Sequence, residues 1–308
     1  MNKESQPFRC GFVALAGKPN VGKSTLLNTL VGQHLSIVSS KAQTTRERVA
    51  GILSGEGYQI LFIDAPGLIQ PKYALQEAMS LAAGTAIDDA DVLVFIADAT
   101  RPDTRPDEEL TREMGAHDLP VIVALNKIDR VDDETGQRLL AEIRDAGYEA
   151  LALSALKGHG TEALLSMLVS RLPDSPPLFP LDESATQPVR FFAEELVRET
   201  CMDLFREEIP YSILCRVDEF RENQDPIFIR VMIYVERESQ KGMVIGKGGE
   251  AIRRVGEISR KKIEELVDGR VYLELRVKVI PGWSRKYSRL KQLGFQLPSK
   301  SKGGHQSR

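Results

Sequence analysis

Cysteine is scarce and unpaired in this sequence: Cys10, Cys201 and Cys215 are an odd number at unrelated spacings, with no Cys-x-x-Cys pair among them. That excludes a disulfide scaffold and a cysteine-based metal centre, and the three read as reduced packing residues. Long apolar runs are missing as well. None reaches the ~18–20 residues of a membrane span, and Met1 to Arg9 carries no apolar signal core, so a cytoplasmic protein is expected. Low-complexity tracts and repeats are also absent, and 42% of the 308 residues are hydrophobic, enough for two domains to bury separate cores.

Acidic charge is short at one end only. Residues 241–308 hold 17 Lys or Arg against 6 Asp or Glu in a chain whose total is −3, so the first 240 residues carry a net −14. The C-terminal portion suits a polyanionic partner; the N-terminal portion does not.

What is present begins with Gly17-Lys18-Pro19-Asn20-Val21-Gly22-Lys23-Ser24, a GxxxxGK[ST] pattern between the apolar run Gly11 to Ala16 and the helical run Thr25 to Val31. Glycines let successive backbone N–H groups turn toward phosphate oxygens, the following helix adds a positive dipole end, and Lys23 adds a full charge. Gly17, Asn20, Val21, Gly22, Lys23, Ser24 and Thr25 are therefore candidate contacts to a polyphosphate. Gln33 to Arg48 is polar and aperiodic, and reads as a mobile loop. Arg48 to Leu53 and Tyr58 to Ile63 read as strands, the second running into Asp64-Ala65-Pro66-Gly67. A DxxG at a strand end about forty residues past a phosphate loop is a candidate sensor, Asp64 holding Mg²⁺ through water and Gly67 N–H meeting a γ-phosphate.

The apolar runs Val92 to Ala97, Val121 to Leu125 and Leu151 to Leu153 read as buried parallel strands, and Asp133 to Ala146 as an amphipathic helix. Alternation of strand and helix predicts a doubly wound, mostly parallel α/β sheet with its ligand at the carboxyl ends of the strands. Two more motifs fall at such ends: Asn126-Lys127-Ile128-Asp129 and Ser154-Ala155-Leu156. Guanine offers adjacent N1–H and N2–H₂ donors that one carboxylate accepts together, whereas adenine would leave Asp129 unpaired. Asn126 and Lys127 would frame the ring and Ala155 N–H would reach O6. An ATPase would require the NKxD motif to be accidental.

These motifs resemble the translation-factor-related class of P-loop GTPases, and Gln43-Thr44-Thr45-Arg46 followed by Gly51-Ile52 resembles the Era family in particular. The resemblance implies GTP, GDP and Mg²⁺ as ligands, a switch loop carrying the metal-contacting threonine at Thr45 or Thr44, and Ser24 as the second protein ligand to the metal. Lys23, Thr45 and Gly67 are then the catalytic candidates. Leu68 stands where many GTPases place a water-orienting glutamine, which predicts slow turnover, on the order of 10⁻² s⁻¹ or below.

Pro173-Asp174-Ser175-Pro176-Pro177 and the polar residues to Pro188 read as a linker over 174–188, after a first domain spanning 1–173. Beyond it, Pro188 to Phe205 reads as a helix, Tyr211 to Phe220 and Ile227 to Val235 as strands, Glu250 to Val267 as a helix and Val271 to Val279 as a strand, an α+β module over 189–282. Val244-Ile245-Gly246-Lys247-Gly248-Gly249 contains a GxxG loop before that long helix, and the module resembles a type II KH domain. The resemblance implies single-stranded RNA on Gly246, Lys247, Gly248 and Gly249, with Arg253 and Arg254 behind them. In the basic tail 283–308, Trp283-Ser284-Arg285-Lys286-Tyr287 either stacks a base on Trp283 while Arg285 and Lys286 hold phosphates, or caps the module; Lys300 to Arg308 is expected to be disordered.

Membership of the Era family would imply a monomeric GTPase that binds small-subunit (16S-type) ribosomal RNA near its 3′ end, assists assembly of the 30S-type subunit and touches the inner membrane peripherally. The competing readings are an RNA-binding protein in which nucleotide is only a structural ligand, and a GTPase acting on another RNA.

Overall fold

A computed structural model describes residues 7–39, 41, 43–106 and 119–298. The apolar runs of the first half become β1 (Arg9–Ala16), β3 (Tyr58–Asp64), β4 (Val92–Asp98), β5 (Val121–Asn126) and β6 (Glu149–Ala152), with β2 (Val49–Gly55) at one edge. Their order is β2-β3-β1-β4-β5-β6, parallel throughout except for antiparallel β2. β4 is buried at every position, as a central strand covered on both faces must be. Register pairs Leu15 with Asp64 and Asp98 with Asn126, so the strands expire side by side and their loops gather at one edge. Helices α1 (Lys23–Val31) and α4 (Thr161–Val169) contribute Leu26, Leu27, Leu164 and Leu168 to the core on one face; α3 (Asp133–Asp145) contributes Leu139 and Ile143 on the other.

The sequence pattern had not shown α2 (Ala74–Asp88). Its Ala83 and Ala86 meet the sheet while Ala74, Leu75, Ala78 and Met79 meet the C-terminal segment, so apolar residues surround it and no single stripe stands out.

The expected linker is laid along the sheet and does not run free. Ile52 N–H donates to Ser184 O (2.9 Å), Thr186 N–H to Ala50 O (3.2 Å), and the buried Gln59 side chain accepts from Leu178 and Phe179 N–H at 2.8 and 3.0 Å. Beyond it come α5 (Val189–Leu204), α6 (Ile209–Ser212), β7 (Leu214–Arg221), β8 (Ile227–Val235), α7 (Glu238–Ile245), α8 (Glu250–Val267) and β9 (Val271–Val279). Tyr211, expected in a strand, lies in α6: Pro210 removes a ladder donor and starts a helical turn instead. The sheet order is β7-β8-β9, antiparallel then parallel. Alternation along β8 sends Ile229, Val231, Ile233 and Val235 inward against Val255 and Ile263 of α8.

Trp283 and α9 (Tyr287–Gln292) form a clasp, with Trp283, Leu290 and Phe295 packed on α2. The expectation of disorder for Lys300 to Arg308 falls outside the described residues. Among the described residues, no helix is long and apolar enough to cross a membrane.

Candidate nucleotide and nucleic-acid sites

The four motif loops meet in a cleft of about 370 Å³ lined by Asn20, Gly22, Lys23, Ser24, Thr25, Thr45, Gly67, Asn126, Lys127, Asp129, Ser154, Ala155 and Leu156, within the size range of a nucleotide site. Val21 is buried beneath it, and Gly17 contributes its carbonyl. The phosphate loop closes on itself: Lys23 Nζ donates to Gly17 O at 3.2 Å and Lys18 O at 3.3 Å, which fixes the ammonium inside the loop. Burial pushes the Lys23 pKa down, opposed by the Asp64 charge; burial pushes Asp64 up, opposed first by Lys23 and then by the Ser24 hydroxyl.

Ser24 Oγ donates to Asp64 Oδ2 at 2.7 Å, Thr45 Oγ1 lies 3.1 Å from Ser24 Oγ, and Thr45 Oγ1 donates to Asp64 Oδ2 at 3.3 Å. Between the two candidate threonines, Thr45 turns its hydroxyl to this cluster while Thr44 turns its carbonyl away to Arg198. All donors are hard oxygens, and Asp64 Oδ1 is buried without a protein partner among the described residues. The set fits Mg²⁺.

Asn126 holds the base end together: its Nδ2 donates to Val21 O (2.8 Å) and its Oδ1 accepts from Ala155 N–H (2.9 Å). The Ala155 N–H expected to reach guanine O6 is thus already engaged, and a base oxygen there competes with Asn126. Ser154 Oγ donates to Asp129 Oδ1 at 2.6 Å; that bond chiefly holds the carboxyl below its ordinary range, so Asp129 is an ionised acceptor of fixed direction. Lys127 Nζ reaches Asn20 O (2.7 Å) and Asp98 Oδ2 (2.5 Å). Asp98 went unnoticed in the sequence, although it closes a strand as Asp64 does.

The segment around Thr44 and Thr45 is joined to the second domain. Arg46 Nη2 donates to Pro210 O (3.2 Å) and Tyr211 O (2.9 Å), and its Nη1 to Ile213 O. Lys41 Nζ caps the C-terminal end of α5 at Met202 O and Phe205 O. Arg198, held by Glu195 at 2.8 and 2.5 Å, donates to Thr44 O. Burial, then the neighbouring Arg198 charge, pushes Arg46 down to about 9. None of the partners across the seam is visible in a local window of sequence, because the contacts of Arg46, Lys41 and Thr44 each span more than 150 residues.

At the other site, Gly246, Lys247, Gly248 and Gly249 form a tight turn leading into α8, flanked by Arg253 and Arg254, both exposed. Trp283 does not join them. It is 0% exposed, stacked near Phe295 and donating from Nε1 to Ser212 O at 3.0 Å, so the capping alternative is the one the structure adopts and base stacking on Trp283 is ruled out by burial. Arg285 and Lys286 are exposed on that same turn, which packs against α2.

Two family models match the chain: a 50S ribosome-binding GTPase model over residues 12–127 and a KH domain model over 208–284. GTPase Era of Carboxydothermus hydrogenoformans is 39% identical over 292 residues, covering 94% of this chain and 98% of its own. GTPase Era of Nitratidesulfovibrio vulgaris is 40% identical over 298, covering 93% and 97%. The chain belongs to the GTPase Era family. Two solved Era structures, one of an Aquifex aeolicus variant bound to GDP·AlF4− and one in complex with MgGDPNP and nucleotides 1506–1542 of 16S ribosomal RNA, superpose with TM-scores of 0.89 at 39% identity, each covering 94% of this chain and 100% of its own. Era relatives of this similarity extend across both domains, so the seam between switch and KH module lies inside the shared architecture.

Proposed function

We propose that this Era-family chain hydrolyses GTP to GDP and phosphate, and grips the 3′ region of 16S-type ribosomal RNA to assist small-subunit assembly. It binds through its KH domain with an affinity set by the nucleotide. The observation that carries the reading is a carboxylate, Asp129, oriented by Ser154 toward a cleft that also holds Lys23 and the Ser24–Thr45–Asp64 oxygens. Asp129 selects the two-donor edge of guanine. Lys23 and the loop N–H groups hold the β- and γ-phosphates. Ser24, Thr45 and Asp64 would hold Mg²⁺, which when bound neutralises phosphate charge as it develops. Gly67 brings its backbone beside Pro19: a Cβ there would meet Pro19 N at 3.0 Å. Leu68 carries no group able to orient water, so the isolated chain turns over slowly, on the order of 10⁻² s⁻¹ or below.

Coupling to RNA rests on the seam. Thr44 and Thr45 are adjacent, one bonded to the KH module and the other facing the oxygen cluster, so ordering one orders the other. Lys23→Ala, assayed for GTP turnover and for affinity to a 16S 3′-end RNA, tests the whole reading. Turnover should fall at least a hundredfold, and the RNA affinity of the variant should lose its dependence on a non-hydrolysable GTP analogue. Wild-type RNA binding indifferent to the γ-phosphate would instead make nucleotide a structural ligand.

A further inference from the structure

The aromatic that sequence pointed to on the RNA side, Trp283, is buried, and another takes an exposed place there. Tyr272 is 58% exposed at the start of β9. It lines the same recess as Gly249, Arg253, Gly256 and Arg260 of the GxxG loop and α8. β9 is the last strand of its sheet among the described residues, so one side of Tyr272 faces β8 and the other faces the open edge.

On the β8 side the ring is held. Register sets Tyr272 opposite Phe228, and the two rings stack with centroids 5.7 Å apart at 13°. Phe228 is in turn braced by Arg221 at 5.0 Å and Arg230 at 5.3 Å from its centroid. Arg230 is itself fixed by Glu219 (2.6 Å) and Glu274 (2.7 Å). A ladder of cation, phenyl and phenol therefore crosses the sheet on the face away from α8, since Val271, Leu273 and Leu275 take the other face. It ends at the edge of β9, where Tyr272 borders the recess with no further ring stacked on it among the described residues. Cross-strand stacking fixes the ring in place, so its exposed face is held rigid.

We propose that Tyr272 is a stacking platform for one base of single-stranded RNA at the mouth of the KH groove, with Arg253 and Arg260 on the opposite wall taking the adjoining phosphates. The occupant follows from continuity: the recess is the continuation of the GxxG loop, in a segment with an excess of eleven positive charges, and a nucleobase is the planar group that such a strand presents. A KH loop clamps the backbone of about four nucleotides, so this platform adds a base-stacking subsite to the grip. It rests on the RNA-binding reading above.

The test uses the full chain and a fluorescent single-stranded RNA copying the last dozen nucleotides of 16S ribosomal RNA, with 2-aminopurine placed at successive positions in parallel probes. Tyr272→Ala should weaken binding roughly ten- to a hundredfold, the usual worth of one stacked base, and abolish 2-aminopurine quenching at a single position. Tyr272→Phe should keep both, and GTP turnover without RNA should be the same in all three proteins. Tyr272→Ala binding within twofold of wild type, or Tyr272→Phe losing as much as Tyr272→Ala, overturns the platform alone. No binding by the unaltered chain overturns the RNA-binding reading and the platform with it.

Discussion

Two glycine loops in this molecule each introduce a helix, and they solve opposite problems. Gly22 caps α1 at φ 104° and Gly249 caps α8 at φ 79°, so both leave helix N-terminal N–H groups in an arrangement that suits phosphate. Around Gly22 the space is filled: a Cβ there would lie 2.3 Å from Asn126 Nδ2. Around Gly248 and Gly249 a Cβ meets nothing within 4 Å. Lys23 is 6% exposed and tied to loop carbonyls, whereas Lys247 is exposed. A loop that must distinguish a terminal phosphate is enclosed and pre-formed; a loop that must accept any stretch of strand backbone is open and adjustable.

The largest effects should come from exchanging those properties. Gly22→Ala drives a methyl into Asn126 at a left-handed backbone position, and should reduce guanine-nucleotide affinity at least a hundredfold, read by a fluorescent GDP analogue. Gly248→Asp has room for its side chain and a residue type that tolerates positive φ, so fold and GTP turnover should persist. Its carboxylate meets RNA phosphate, and RNA affinity should fall about tenfold or more. If Gly248→Asp lost nucleotide binding, or Gly22→Ala kept it, the contrast between enclosed and open loops would be wrong.

How much of this was legible beforehand follows the same contrast. The enclosed loop and its three companion motifs are local: a dozen residues at strand ends specify chemistry without reference to the rest of the chain, and the structure gathers them in one cleft. Strand runs such as Val92–Asp98 were visible because burial on both faces leaves a continuous apolar word. The helix Ala74–Asp88 was not, because it is buried on two faces by two different partners. Trp283 among cations has the same local pattern whether it stacks a base or fills a core; the deciding neighbours, Leu75 and Met79, lie about two hundred residues away. Tyr272 is unmarked in the sequence for the converse reason, since alternation in Val271–Val279 places it outward without saying what it sits beside.

The next effect is smaller and tests whether the two loops communicate. Arg198→Ala removes the donor to Thr44 O and leaves Glu195 without its cation. GTP turnover should fall about tenfold at unchanged GDP affinity, a loss typical of one charge-assisted hydrogen bond. The RNA-affinity ratio between GTP-analogue and GDP states should shrink toward one. Arg198→Lys should recover part of both. Equal losses in GDP affinity and turnover would mean that the residue only stabilises the fold.

The smallest effect concerns another cross-domain contact, in which Glu199 accepts from His34 at 2.9 Å and from Lys262 of α8 at 2.7 Å. Burial alone would raise the Glu199 carboxyl, but the hydrogen bonds from His34 and Lys262 outweigh it and bring the pKa below its ordinary value. The other carboxyl facing this cluster, Asp203, moves the opposite way: burial raises it, the Glu199 charge adds to the rise, and Lys262 and Lys41 oppose it. A carboxylate whose folded pKa is depressed contributes stability that is full above its unfolded value, near 4.3, and that is lost as pH falls through the lower folded value. The stability gap between wild type and Glu199→Gln should therefore be about 1 kcal/mol at pH 7, hold steady to pH 5, and close below pH 4, as read by urea unfolding at each pH. Asp203 works in the opposite sense, since a raised folded pKa adds stability as pH falls, and it should offset part of that loss. A gap unchanged from pH 7 to pH 3 would show that the contact joining the segment after α1 to α5 and α8 acts by packing alone, leaving the contacts of Thr44, Arg46 and Lys41 as the polar links across the seam.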